Sequence, residues 1–93
     1  MKKFLIEVPH GSDKKACDHA IKIFLETGSH FLTNANWGCL DGEHKAWMMV
    51  EVESKEEAMY IIPPMFRHEA NIIQLTTFTA KDMVQASDMY HQD

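Results

Sequence analysis

Two strand-like runs on either side of Asp41-Gly42 constrain the fold of this chain more than any other feature. Residues 31–40 and 44–53 flank this dipeptide, and Asp-Gly between two such runs is a strong signal for a β-hairpin with a two-residue turn. Because the turn fixes which residues face each other, the side chains of both runs can be assigned to the two faces of a sheet. The middle of the chain is therefore predicted to be an antiparallel hairpin.

The sequence before the hairpin predicts one strand and one helix. Residues 3–8 alternate as in a strand, with three apolar side chains on one face: Phe4, Ile6 and Val8. Ser12 or Asp13 can cap the helix that follows, and Gly28 is a natural end for it. Between these limits, apolar residues recur at the spacing of one helical stripe: Cys17, Ala20, Ile21, Phe24 and Leu25.

A helix and a strand are also predicted after the hairpin. Ser54-x-x-Glu57 is a capping box, and the helix that it begins continues through Ile62, before Pro63-Pro64. Residues 71–79 are rich in Ile and Thr, as is typical of a strand. Thr79-x-x-Asp82 is a weaker cap for a short C-terminal helix that contains Met83, Val84 and Tyr90.

The resulting order is strand, helix, strand, strand, helix, strand, which is the ferredoxin-like βαββαβ arrangement. Right-handed crossovers then give a four-stranded antiparallel sheet of order 4-1-3-2, backed by the two helices. A chain of 93 residues has room for one core. We therefore predict a single α+β domain over residues 1–93, with its core at about 2–79 and a tail at 80–93.

The layout resembles that of the dimeric α+β barrel proteins, a superfamily of ferredoxin-like folds, and especially its small bacterial members. The resemblance extends to about residue 79 and includes Trp37-Gly38-Cys39-x-Asp41-Gly42-x-His44-x-x-Trp47, followed by Pro63-Pro64-x-x-Arg67-x-x-Ala70. It implies a homodimer formed through the outer sheet face and a pocket between the sheet and its helices. Relatives of the muconolactone-isomerase and antibiotic-monooxygenase kinds are enzymes. Because no catalytic motif of either kind is visible here, their chemistry is not carried over to this chain.

Composition and charge limit the partners of the protein. The formal net charge at pH 7 is −5, whereas nucleic acid and anionic membranes select a basic face. No run approaches the roughly 20 apolar residues of a membrane span, and the apolar N-terminal run stops at Glu7, too early for a signal peptide. Two cysteines are too few for a disulfide framework. We expect a cytoplasmic protein that binds neither nucleic acid nor membranes.

The sheet face that points away from the helices is predicted to be unusually apolar. It carries seven apolar residues among a few polar ones: Leu5, Leu32, Leu40, Trp47, Met49, Ile72 and Phe78. A sheet surface that faces solvent is normally more polar, and an apolar patch of this size usually contacts a partner. We therefore expect a homodimer with an interface made by Leu5, Trp47, Met49, Ile72 and Phe78. The alternative is that the C-terminal tail folds back over this face.

The predicted topology also brings polar residues to one rim of the domain, where the first helix begins. They are His10, Cys39, His44, Arg67 and His68. The two-residue turn pairs Cys39 with His44, and also Trp37 with Ala46, so these side chains share the face that the helices cover.

Three residues at this rim have the chemistry of metal ligands. Thiolate and imidazole bind zinc, so Cys39, His44 and His10 are candidates for a zinc site or another transition-metal site. The plainer interpretation needs no cofactor, because Cys39 is then a small buried hydrophobe and His44 a hydrogen-bonded residue at the strand end. Cys17 faces inward near the same rim. Cys17 and His19 are not a ligand pair, because residues two apart on a helix point about 200° apart, so Cys17 is assigned to the core and His19 to the solvent.

Three classes of function fit these features, and the sequence does not decide whether the protein is an enzyme. The leading interpretation is a domain that binds a small anionic or aromatic molecule in a pocket lined by Trp37, Cys39, His44, Met48 and Arg67. Arg67 is predicted to hold a carboxylate at the mouth of the pocket, or else to pair with Asp41 or a helix-end carbonyl. The second is a cofactor-independent enzyme with His44 or His10 as its base. The third is a protein that binds a transition metal.

Overall fold

The computed structural model describes residues 1–83 of the chain. The elements are β1 (Lys2–Pro9), α1 (Lys14–Thr27), α2 (His30–Thr33), β2 (Asn36–Trp37), β3 (Lys45–Val52), α3 (Lys55–Ile61) and β4 (Asn71–Leu75). Two single 3-10 turns, Cys39–Asp41 and Pro64–Phe66, lie before β3 and before β4. With α1 and α3 as the main helices, this is the predicted βαββαβ order of an α+β domain.

The four strands form one antiparallel sheet. Its order is β2-β3-β1-β4, which is the predicted order 4-1-3-2 written from the other edge. The central strand β1 pairs with β3 from Lys2↔Val52 to Pro9↔Lys45 and with β4 from Lys3↔Leu75 to Glu7↔Asn71. The long central ladder therefore ends where β1 leaves the sheet and β3 enters it.

The two main helices begin where side chains satisfy their first N–H groups. The Asp13 carboxylate accepts a hydrogen bond from the Ala16 N–H at 2.7 Å, and Gly28 ends α1 in the left-handed conformation. The Ser54 hydroxyl accepts from the Glu57 N–H at 3.1 Å, and the Glu57 carboxylate accepts from the Glu53 N–H at 2.8 Å. Both predicted helix starts are confirmed, and each supplies a hydrogen bond that the helix cannot make internally.

The core lies between the sheet and the helices. Alternate residues of β1 and β3 point into it, which follows from the two-residue period of a strand. Its largest fully buried side chains are Phe4, Phe24, Ile6, Leu32, Ile62, Val8 and Val50. Leu25, predicted for the helical stripe of α1, is instead 54% exposed.

The prediction of a strand over 31–40 is wrong for most of its length. Ser29 caps a short helix, His30–Thr33, and the Asn34 amide donates to the His30 carbonyl at 2.8 Å. Short polar side chains thus satisfy backbone groups locally and compete with a sheet ladder. The strand is reduced to Asn36–Trp37, but its predicted register with β3 is confirmed by the pair Trp37↔Ala46.

The two-residue turn at Asp41-Gly42 is also wrong. A type I′ turn needs positive φ at both residues, whereas Gly42 has φ 82° and Asp41 lies in the 3-10 turn without positive φ. The connection is longer and is closed by the Gly38 N–H, which donates to the Lys45 carbonyl at 3.1 Å. Cys39 and His44 therefore lie in a loop and are not a cross-strand pair.

The outer sheet face differs from its predicted composition. Leu5, Trp47 and Met49 lie on it, because Leu5 pairs with Met49 and the neighbouring pair is Glu7↔Trp47. Ile72 pairs with Ile6 and is buried in the core at 8% exposure, so Ile73, beside Leu5, takes the outer position. The side chains of β4 therefore alternate in the opposite sense to the prediction. Residues expected on the outer face of this strand lie on its core face, and the reverse.

The other residues expected on the outer face lie outside the sheet. Phe78 follows the end of β4 at Leu75, so a strand over 71–79 is too long. Leu32 is buried in the core from α2, and Leu40 projects fully from the loop before β3.

The start of the C-terminal tail agrees with the predicted cap. The Thr79 N–H donates to the Asp82 carboxylate at 3.0 Å, and the Asp82 N–H donates to the Thr79 hydroxyl at 3.2 Å. Residues 80–83 are helical. Val84 and Tyr90, predicted for the same helix, lie outside the described residues. Within residues 1–83, no helix is long and apolar enough to cross a membrane.

Candidate metal centre

Four side chains with metal-binding chemistry converge at the end of the sheet where β1 leaves it. They are His10, Cys17, Cys39 and His44, and one ligand atom from each lies within 4.8 Å of the others. Cys17 is buried and the other three residues are half-buried. The cluster contains two imidazoles and two thiols and no carboxylate, which is a donor set for a borderline or soft metal ion.

Three separate parts of the chain hold these ligands. His10 follows β1 directly, and its N–H donates to the His44 carbonyl at 3.0 Å, which extends the β1–β3 ladder by one step. Cys17 lies one turn into α1, where its N–H donates to the carbonyl of the capping residue Asp13 at 3.1 Å. Cys39 and His44 lie near the two ends of the loop between β2 and β3.

The loop that carries Cys39 and His44 is fixed by backbone hydrogen bonds around Gly38. The Gly38 carbonyl accepts from the N–H groups of Asp41 and Glu43, both at 3.0 Å. The Gly42 N–H donates to the Cys39 carbonyl at 3.1 Å. These bonds fold the loop back on itself, so Cys39 and His44 meet although they are not paired in the sheet.

The cluster is held close by contacts between its own members. The His10 Nε2 atom lies 3.1 Å from the Cys39 sulfur. The rings of His10 and His44 are 6.0 Å apart and meet edge to face. The Nδ1 atoms of both rings are buried and have no hydrogen-bond partner within residues 1–83. Buried polar atoms are normally paired, so each of these two nitrogens has the capacity to bind one further group.

The electrostatics of the cluster disfavour a buried positive charge on His10. Burial, and secondarily the proximity of His44, hold the pKa of His10 below its ordinary value. The imidazole is therefore neutral at neutral pH, and the neutral form is the one that binds a metal ion. The hydrogen bond with Cys39, followed by burial and the charge of Cys39, raises the pKa of the Cys17 thiol to about 11. Cys17 must lose its proton when it coordinates a cation.

An aromatic wall separates the cluster from the hydrophobic core. The Trp37 ring lies 5.7 Å from the His10 ring and 4.9 Å from the Phe24 ring. Phe24 in turn contacts Phe66 edge to face at 5.8 Å. Through these tilted ring contacts Trp37 connects the cluster to the aromatic part of the core.

A half-open cavity of about 570 Å³ lies beside the cluster. Its walls come from the start of α1 and from the loop between β2 and β3, and they include Cys17, Ile21, Trp37, Cys39, Leu40 and His44. Three of the four cluster residues therefore face a space that solvent and small molecules can enter.

Two residues predicted to line a ligand pocket have other places in the fold. Met48 is buried in the core at 3% exposure, because its position in β3 points under the helices. Arg67 Nε donates to the Ile62 carbonyl at 2.8 Å, and its guanidinium lies over the Tyr60 ring at 5.2 Å. Arg67 thus closes the C-terminal end of α3, which was the alternative to a ligand role. His68 is exposed and contacts Glu69 at 3.5 Å, outside the cluster.

Cys17 is the member of the cluster that the sequence predicts near the rim but as a core residue and not as a ligand. Its helical position separates it from His19, which is exposed as expected, but the same position directs it toward His10 and the loop. The signal was present in the topology, because α1 begins at the rim where β1 ends.

Comparison of the chain with protein-family models, curated proteins and solved structures gave no match.

Proposed function

We propose that this protein binds one transition-metal ion, with zinc as the preferred ion, through His10, Cys17, Cys39 and His44. The observation that carries the proposal is the convergence of these four ligand atoms within 4.8 Å. Two thiolates and two imidazoles are a common ligand set for tetrahedral zinc. The sequence predicts metal binding as one of three possible functions, with Cys39, His44 and His10 as the ligands.

The distances in the cluster are close to those that a tetrahedral ion requires. Zinc–sulfur and zinc–nitrogen bonds of about 2.3 and 2.0 Å place neighbouring ligand atoms roughly 3.3–3.8 Å apart. The widest separation, 4.8 Å, therefore needs to shorten by about 1 Å when an ion binds. A change of this size is compatible with side-chain rotation, because Cys39 and His44 belong to a loop.

Four protein ligands fill the coordination sphere of zinc and leave no position for a substrate. The proposed role is therefore structural or storage-like and not catalytic. The ion would join the end of β1, the first turns of α1 and the β2–β3 loop. Because binding to the folded state alone stabilises it, an ion at 100 times its dissociation constant adds about 2.7 kcal/mol to the free energy of unfolding.

The test is a titration of the reduced, metal-free protein with Zn²⁺ and, in parallel, with Co²⁺ as a spectroscopic substitute. We expect one ion per chain, a higher melting temperature, and a Co²⁺ spectrum of tetrahedral coordination with thiolate ligands. Cys39→Ser and His44→Ala should each weaken binding at least about 100-fold. His19→Ala is the matched control, because this exposed histidine lies outside the cluster.

Stoichiometric binding that survives in both Cys39→Ser and His44→Ala would contradict the proposal, as would a Co²⁺ spectrum without thiolate coordination. If the metal-free protein binds no ion, the 570 Å³ cavity becomes the stronger candidate. A small molecule held against Trp37 and Leu40 is the second candidate function, and it needs no ion.

We also propose that the protein is a homodimer through its outer sheet face, as the resemblance to dimeric α+β barrels implies. Met49 is 63% exposed and Ile73 is 47% exposed, on neighbouring positions to either side of Leu5. An exposed apolar surface at the centre of a sheet is typical of an interaction site.

A further inference from the structure

We propose that Cys17 and Cys39 form a reversible disulfide when a peroxide oxidises them, and that this bond releases the metal ion. The metal-release part of the proposal rests on the proposed function. The disulfide part does not, because it requires only the two thiols.

The first support is the pairing of the two cysteines. The chain has two cysteines in 93 residues, both are free thiols, and both belong to the same cluster. Their sulfur atoms lie within 4.8 Å of each other. A disulfide bond of about 2.05 Å requires the sulfurs to approach further.

The second support is the difference in how the two thiols are held. Cys17 is fixed in α1 and only 9% exposed, whereas Cys39 begins a 3-10 turn in a loop and is half-buried. Both residues line the half-open cavity. An oxidant in the cavity therefore reaches Cys39 more readily, and Cys17 lies behind it as the second thiol of the pair.

The oxidation balances with hydrogen peroxide as the oxidant. The Cys39 sulfur attacks one peroxide oxygen, the O–O bond breaks, and Cys39 becomes a sulfenic acid while one water leaves. The Cys17 sulfur then attacks the Cys39 sulfur, the S–O bond breaks, and a second water leaves. Two thiols and one peroxide thus give one disulfide and two waters. With zinc bound, the two thiolates supply both electrons and solvent supplies two protons.

The loss of the ion follows from the ligand count. A disulfide removes two of the four ligands together, and it carries no negative charge to bind the cation. Zinc has no redox chemistry of its own, so the oxidation state of the two sulfurs alone decides whether the site is complete. Reduction by an external dithiol restores both ligands.

The experiment treats the full-length protein, in zinc-loaded and metal-free forms, with one equivalent of hydrogen peroxide. Free thiols, released zinc and intact mass are then measured. We expect the thiol count to fall from two to none and the mass to fall by two hydrogen atoms within one chain. The zinc-loaded form should release one ion per chain, and dithiothreitol should restore both thiols and binding. In Cys17→Ser, Cys39 should gain oxygen without an intrachain bond.

Two results would overturn the proposal. One is oxygen addition to wild-type Cys39 with no intrachain disulfide in either form. The other is a disulfide that joins two chains only. These results are distinguishable from a failure of the proposed function, because thiol oxidation in the metal-free protein is measured without any ion. A protein that forms the intrachain disulfide but never binds zinc would contradict the proposed function and the release step alone.

Discussion

At the scale of single residues, Glu7 is the charge that organises the outer sheet face. Its carboxylate accepts hydrogen bonds from the Trp47 indole N–H at 3.1 Å and from the Lys45 ammonium at 3.4 Å. The Asn71 amide approaches the same carboxylate at 3.5 Å. The bond from Trp47, with the help of Lys45 and Asn71 and against the effect of desolvation, holds the pKa of Glu7 below its ordinary value.

This shift predicts an acid-dependent loss of stability. A carboxylate with a lowered pKa in the folded state stabilises that state above its ordinary pKa of about 4.3, and the contribution is lost as the pH falls through the lowered value. Glu7→Gln should therefore lower the free energy of unfolding by about 1 kcal/mol at pH 7, and the difference from wild type should shrink as the pH falls through the lowered pKa of Glu7. Urea unfolding of the metal-free protein at a series of pH values measures it. Glu51→Gln, at an exposed carboxylate on the same face, is the control. An equal difference at pH 7 and pH 3 would show that charge is not the cause.

At the scale of elements, the loop between β2 and β3 positions Cys39 and His44, two of the four ligands of the proposed metal centre. Gly38 is essential to it, because a Cβ atom there would lie 2.7 Å from the Glu43 carbonyl oxygen and 2.7 Å from the Trp47 ring. Gly42 needs its positive φ, but a Cβ atom there would meet nothing within 4 Å. Glycine is therefore required at position 38 for lack of space and at position 42 for its positive φ.

These reasons predict different costs for alanine at the two positions. Gly38→Ala should lower the free energy of unfolding by about 2–3 kcal/mol, since backbone and a packed ring must both move. It should also weaken zinc binding, because the loop positions Cys39 and His44. Gly42→Ala should cost only about 1 kcal/mol, from the left-handed conformation alone. Chemical unfolding and zinc titration of both variants test this order. A Gly42→Ala variant that is the less stable of the two would contradict it.

Elements that begin at a capping side chain could be predicted from the sequence alone. The predicted strand over 31–40 was wrong, because side-chain hydrogen bonds to the backbone compete there with pairing in the sheet. The helix caps at Asp13 and Ser54 depend on one side chain and its neighbours, so they could be found without the fold. Ser29, just before the region 31–40, and Thr33 and Asn34 within it make hydrogen bonds to the backbone that outweigh the strand propensity. Of the four residues of the candidate metal centre, the topology predicts Cys39, His44 and His10 as possible ligands. Cys17 is predicted near the same rim but not as a ligand, because its apolar spacing on α1 accounts for it equally well as a core residue.

At the scale of the whole molecule, the two faces of the sheet differ in how the described residues cover them. The helices cover one face with the core, while the described part of the chain leaves Met49 and Ile73 exposed on the other. Burying such apolar area contributes about 25 cal/mol per Å². In the proposed homodimer, the outer sheet face of a second chain would bury Met49 and Ile73.

The proposed homodimer predicts a mass of twice 10.7 kDa by light scattering. Ile73→Lys should give single chains, because it places a charge in the interface. Leu25→Lys should leave the dimer intact, since Leu25 is an exposed apolar residue on α1. Trp47 is a poor choice for this test because it also binds Glu7 inside one chain. A wild-type mass of 10.7 kDa, or dissociation by both lysine variants alike, would reject the interface.

The hydrogen bond from the His10 N–H to the His44 carbonyl gives the proposed metal centre a further property. It makes the two histidines the last step of the β1–β3 ladder, so their meeting depends on the alignment of all eight preceding pairs. A slip of one residue would turn His10 to the opposite face and separate it from His44. An ion that needs both imidazoles therefore selects the correct alignment of the two central strands over every shifted one. Binding would discriminate against misaligned sheets as well as stabilise the native one.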